Sequence, residues 1–207
     1  MSVLTLFGII VLIMSVVIHE VSHGYVAYLL GDPTAKLAGR LTLNPIPHVD
    51  LFGSIILPLL LSLIPGGIIF GWAKPVPYNP YNLRAGKWGP MYVAAAGPGV
   101  NILLAVVFGL FIRFSAVIGL NPAIIPIFGV IVIINIMLAL FNLIPIPPLD
   151  GSTILFSLLP GRFQYFESSF YRYRFAFLLI AILLAGFVIN TLLPVIFSLL
   201  TGLSAVN

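Results

Sequence analysis

Long apolar runs, interrupted at a few places, set the elements of this chain. Residues 3–30 are apolar except around His19, Glu20 and His23, which predicts one long first helix stopped by Gly31-Asp32-Pro33. Residues 34–47 are polar and punctuated. Within them Lys36-Leu37-Ala38-Gly39-Arg40-Leu41-Thr42-Leu43 alternates with a period of two, predicting a short membrane-associated β hairpin. Residues 51–73 are apolar but broken by Gly53, Pro58, Pro65, Gly66, Gly67 and Gly71, and Trp72 to Pro80 follows as an extended, proline-rich loop. A clean span runs over Met91 to Ile112 and closes at Arg113. Residues 114–149 carry no charge, and a turn around Gly119-Leu120-Asn121-Pro122 separates off a second span over about 123–142. A loop and short helix occupy 150–173, and residues 175–200 form the last span. There is no internal repeat.

Composition turns these spans into a membrane assignment. Of 207 residues, 61% are hydrophobic and 7% charged, whereas a soluble domain carries roughly 25% charged residues. The mean hydropathy of +1.21 points the same way. The expected fold is an all-α polytopic membrane protein forming one membrane-embedded domain over residues 1–207. It has about four full transmembrane helices, plus a re-entrant or surface segment at 51–73. The net charge of +4 rests on nine basic residues, so it bears on membrane orientation and not on nucleic acid. Residues 1–18 lack a basic start and a small-residue cleavage site and run unbroken into the first helix, so they are expected to be a retained span. Without cysteine, a metal must be held by the three His or the five acidic residues.

Chemistry concentrates at His19-Glu20-Val21-Ser22-His23. In a helix, residues four apart share a face, so both imidazoles can address one metal ion while Glu20 reaches an adjacent water. This is the H-E-x-x-H arrangement of zinc hydrolases, with the carboxylate as general base. Ionisable groups inside a membrane helix are costly, which marks them as functional candidates. Such a site needs a third protein ligand. Asp150 is the only acid in the central apolar region, within Asn142-Leu143-Ile144-Pro145-Ile146-Pro147-Pro148-Leu149-Asp150-Gly151. Three prolines unwind that stretch at membrane depth, where irregular backbone is tolerated only if buried or lining a wet cavity.

These two motifs, in this order, resemble those of the site-2 proteases, intramembrane zinc metalloproteases marked by H-E-x-x-H and by N-x-x-P-x-P-x-L-D-G on a later helix. Gly97-Pro98-Gly99-Val100-Asn101 matches a further G-x-x-x-N feature. Gly71-Trp72-Ala73-Lys74-Pro75-Val76 is similar to the loop of compact prokaryotic members without a PDZ domain. The resemblance implies one zinc ion per chain held by His19, His23 and Asp150, Glu20 as catalytic base, and Asn142 as a polar group near the water or scissile carbonyl. Asn142 is equally read as a helix C-terminal cap. Gly97 and Asn101 read as close helix packing plus an interhelical hydrogen bond. The implied substrate is a single-span protein cut within or near its membrane segment. Such a helix must unwind first, and either Lys36–Leu43 or the Trp72–Pro80 loop is expected to offer it a strand edge.

Shared ligation also constrains topology. His19, His23 and Asp150 must lie at one depth, so an even number of crossings separates them and residues 51–73 must not cross. Lys36, Arg40, Lys74, Arg84, Lys87, Arg162, Arg172 and Arg174 then share one face, with Arg113 alone opposite. By the positive-inside rule the active site faces the cytoplasm of a prokaryotic plasma membrane. His48 and Asp50 read as turn residues in a solvated loop, or as groups that touch the site entrance or offer a ligand. Glu167 reads as a surface partner of Arg162 and Arg172. Two other classes stay open at this level: an inactive membrane scaffold, and an ion transporter, which would favour repeated halves with paired broken helices.

Overall fold

The computed structural model of the chain describes residues 2–63, 71–160 and 173–203. The expected placements of Pro65, Gly66, Gly67, Arg162, Glu167 and Arg172 lie outside the described residues. Seven α-helices are seen among them: α1 (Val3–Leu29), α2 (Thr34–Leu37), α3 (Leu57–Ser62), α4 (Gly89–Arg113), α5 (Ile125–Asn142), α6 (Asp150–Leu158) and α7 (Arg174–Thr201). Four of these, α1, α4, α5 and α7, belong to stretches long and apolar enough to cross a membrane. Only 11% to 33% of each spanning stretch is buried inside the protein, so most of its apolar surface faces outward, as lipid requires.

Helix α4 is the centre of the bundle and touches α1, α5, α6 and α7. Small residues make this approach feasible, with Ala94, Ala105 and Gly109 of α4, Ala27 of α1 and Ala139 of α5 all buried. In lipid, where apolar surface gains nothing from leaving the solvent, such close packing drives association. One core cluster joins Ala105, Ile112, Val132, Ile136 and Phe197, and a second joins Ile144 and Leu149 to Ala181 and Ala185 of α7. The second cluster anchors the unwound segment between α5 and α6.

Two expectations concern the segments between α1 and α4. No strand occurs among the described residues, so the β hairpin is not formed. Thr34–Leu37 instead makes a single helical turn, closed by Arg40 N–H to Ala35 C=O and by Gly39 at φ +65°. The alternation of Lys36 to Leu43 lacks a partner strand, and local hydrogen bonds win. The two described ends of the 51–73 segment lie against each other. The segment begins as a π-helical turn (Leu51–Ile56) leading into α3, and the combined helix of twelve residues, Leu51–Ser62, is too short to span. Beyond it, Trp72 N–H donates to Gly53 C=O at 3.1 Å and Lys74 N–H to His48 C=O at 2.9 Å, which ties the two ends together.

Candidate metal centre

His19 and His23 stand one turn apart on α1, their rings edge to face with centroids 4.7 Å apart. They lean on Gly97 of α4. A Cβ there would lie 2.5 Å from Cε1 and Nε2 of His19 and from Nε2 of His23, so only glycine admits both imidazoles. Asp150 arrives from the opposite direction as the first residue of α6, after the unwound stretch. Gly151 lets that stretch fold back, because a Cβ there would fall on the carbonyl oxygens of Leu143 and Ile144. The Asp150 Oδ2 atom lies 3.1 Å from His19 Nε2 and 3.4 Å from His23 Nε2.

The donor set fits a zinc ion. His19 Nδ1 lies 2.6 Å from Asn101 Oδ1, and His23 Nδ1 lies 2.7 Å from the Val93 carbonyl. Both partners accept, so on this network each Nδ1 carries the proton and each Nε2 turns its lone pair toward Asp150. Asp150 Oδ2 is itself buried without a hydrogen-bond donor. Three lone-pair atoms thus converge within 4.8 Å of one another, an arrangement a cation stabilises. Ligands at about 2.0–2.1 Å around a tetrahedral ion are separated by about 3.3 Å, close to the two spacings given above. No other such group of His, Asp or Glu occurs among the described residues.

Glu20 turns to a different neighbour. Its Oε2 accepts the Val76 backbone N–H at 2.9 Å, which fixes the carboxylate beside the cluster. Val76 lies in the extended 71–79 segment, whose N–H groups at Trp72, Lys74, Val76 and Asn79 all bond inward, to Gly53, His48, Glu20 and Asp32. The intervening positions include Pro75 and Pro77, which lack N–H groups. An added strand would therefore find few donors on this segment's free edge. Buried Asp32 accepts Asn79 N–H at the end of the segment, together with Thr34 N–H, Thr34 Oγ1–H and Asn82 Nδ2–H. Burial pushes its carboxyl up, but these hydrogen bonds outweigh that and hold it below the usual carboxylate range.

The remaining expected residues make other contacts. Asn142, the last residue of α5, donates from Nδ2 to Leu138 C=O at 2.9 Å, one turn back along its own helix. His48 is buried, not solvated, and its Nε2 donates to Thr42 C=O. Asp50 caps the π-helical turn by accepting Gly53 N–H. Residues not anticipated from sequence are Val76, Asp32, Asn135 and Ser15. Asn135 was detectable as a lone amide inside an apolar span. Val76 carries no such signal, because its contribution is a backbone N–H that any residue but proline would supply.

Comparison with known proteins adds to this geometry. A family model described as peptidase family M50 matches residues 115–185. The chain is 41% identical over 158 residues to "Putative zinc metalloprotease YwhC" of Bacillus subtilis, covering 73% of this chain and 68% of the relative. It is 32% identical over 143 residues to "Putative zinc metalloprotease Rip2" of Mycolicibacterium smegmatis, covering 67% of this chain and 52% of that protein. A third relative, "Zinc metalloprotease MJ0392" of Methanocaldococcus jannaschii, is 28% identical over 160 residues, spanning 36% of its length. No solved structure matches.

Proposed function

Because the chain belongs to peptidase family M50, the site-2 proteases, we propose that it is a zinc-dependent endopeptidase that cuts single-span proteins within or near their membrane segments, as in regulated intramembrane proteolysis. In this reading His19, His23 and Asp150 hold the ion and Glu20 is the general base. The convergence of two imidazole lone pairs on a buried, donor-less carboxylate oxygen carries the assignment. When bound, zinc supplies Lewis-acid chemistry toward a peptide carbonyl. The protein's own part is positional. Glu20, steadied by Val76 N–H, takes the proton of the attacking water and returns it to the leaving amine. Asn142, at the mouth of the unwound segment, would reorient its amide toward the scissile carbonyl once substrate enters. The active site opens to the basic face of the protein, assigned to the cytoplasm of a prokaryotic cell.

The test is zinc content and cleavage of a labelled single-span substrate in liposomes, for the wild type beside Asp150→Ala and Glu20→Gln. Zinc near one per chain that survives Glu20→Gln but falls in Asp150→Ala supports the assignment. Zinc undiminished in Asp150→Ala removes Asp150 as ligand. A topology reporter near Arg84 that reads external overturns the orientation.

A further inference from the structure

A fully buried chain of polar side chains leads away from His19 into the bundle, crossing three helices. Asn101 of α4 presents Oδ1 to His19 Nδ1, and its Nδ2 donates to Asn135 Oδ1 on α5 at 2.8 Å. Asn135 Nδ2 donates in turn to Ser15 Oγ on α1 at 3.1 Å and to the Ile131 carbonyl at 2.9 Å. Asn101 and Asn135 are 0% exposed and Ser15 is 4% exposed, so no water competes for these groups. Unsatisfied amides there would cost stability, and the chain leaves none of the amide oxygens or nitrogens of the two Asn residues unused.

We infer that Asn135 and Asn101 are positioning residues that fix the tautomer of His19, and that the Ile131 backbone carbonyl sets the direction of the whole chain. The inference rests on reading His19 as a metal ligand. A carbonyl oxygen accepts and cannot donate, so the side of Asn135 facing Ile131 must be its NH2 group. That orientation places Asn135 Oδ1 toward Asn101, which obliges Asn101 to present its own NH2 there and its Oδ1 to His19. A fixed acceptor opposite Nδ1 requires the proton on Nδ1, and Nε2 is left with its lone pair directed at the metal centre. His23 reaches the same state in one step from the Val93 carbonyl. His19 does so through two amides, each of which would present a donor if flipped and so favour the wrong tautomer. Partners of this kind, behind a ligating His, typically change metal affinity 10- to 100-fold.

The test measures zinc Kd by chelator competition in detergent, on the folded fraction, for His19→Ala, Asn101→Leu, Asn101→Asp and Asn135→Leu. Loss of binding in His19→Ala establishes the ligand independently of the chain behind it. Kd is expected to weaken about 10- to 100-fold in Asn101→Leu and in the same direction in Asn135→Leu, which does not touch His19. Asn101→Asp keeps an acceptor opposite Nδ1 but loses the donor to Asn135 Oδ1, so its affinity is expected to fall between those of the wild type and Asn101→Leu. Folded leucine variants with wild-type Kd overturn the inference, even if His19→Ala abolishes binding. Unchanged zinc binding in His19→Ala overturns the ligand reading beneath it. Should the leucine variants fail to fold, nitrogen NMR of the metal-free wild type at alkaline pH decides the matter. Neutral His19 protonated on Nδ1 is expected, and protonation on Nε2 overturns the inference.

Discussion

Gly97→Ala puts the metal centre to a sharp test, because it adds one methyl group where two imidazoles meet. The new Cβ would stand 2.5 Å from His19 Cε1, His19 Nε2 and His23 Nε2, about 0.9 Å inside the 3.4 Å at which ordinary contact begins. Neither ring can simply swing away. His19 is held through Nδ1 by Asn101 and His23 through Nδ1 by the Val93 carbonyl, at 2.6 and 2.7 Å. A displacement of that size is several times the roughly 0.2 Å tolerance of a zinc ligand. Misplacing reacting groups by about 1 Å costs on the order of 100-fold in rate. Overpacking adds about 1–3 kcal/mol of destabilisation. We therefore expect Gly97→Ala to lose proteolysis by about 100-fold or more and to release zinc to a chelator far faster than the wild type. Two other glycines of α4 serve as comparisons. Gly99 faces open space, so Gly99→Ala should change neither property. Gly109 meets Leu200 Cβ at 2.8 Å, so Gly109→Ala should lower stability while the folded protein keeps its zinc. Zinc affinity and turnover in Gly97→Ala within twofold of the wild type would falsify the proposed placement of the ligands.

Other perturbations read out the parts around that centre. Glu20→Gln should keep near-stoichiometric zinc while cleavage falls by about 10²–10⁴-fold, the usual contribution of a general base; retained cleavage would remove Glu20 from that role. Val76→Pro deletes the N–H that steadies Glu20. It should lower the turnover number with zinc content intact, and zinc loss would instead show that the 71–79 segment supports the ligands. Gly151→Ala drives a Cβ onto the backbone oxygens of Leu143 and Ile144, which cannot yield as a side chain would. Zinc binding should therefore weaken along with stability, and a variant that holds zinc normally would refute the account of the fold-back. Asp32 has a carboxyl lower in the folded protein than in the unfolded chain. Its contribution is thus fully present above the ordinary carboxylate value and is lost as pH falls through the lower folded one. Thermal midpoints should drop below about pH 4 in the wild type and less steeply in Asp32→Asn; parallel pH profiles would argue against the clamp.

Features that depend on local composition and short spacing are legible without the fold. Four spans are legible because a stretch such as 125–141 has one stable environment, lipid or protein interior, whatever surrounds it. His19 and His23 are legible as a pair because four residues bring side chains together on any helix. The parity of the crossings is an expectation from shared ligation added to those spans; in the structure Trp72 and Lys74 bond back to Gly53 and His48. Tertiary structure decided the rest. The alternation of Lys36 to Leu43 could not announce that no strand pairs with it among the described residues, since pairing is a long-range event. His48 reads as a solvated loop residue, yet its ring is buried and its carbonyl takes the Lys74 N–H. Glu20 finds Val76, 56 residues away, through a backbone group invisible to any reading of side chains. Asn101 and Asn135 are plain as isolated amides, but which atom of each faces the metal ligand depends on how α1, α4 and α5 are rotated against one another. That rotation is fixed by packing over the whole bundle, and through it a carbonyl on α5 governs where a proton rests on α1.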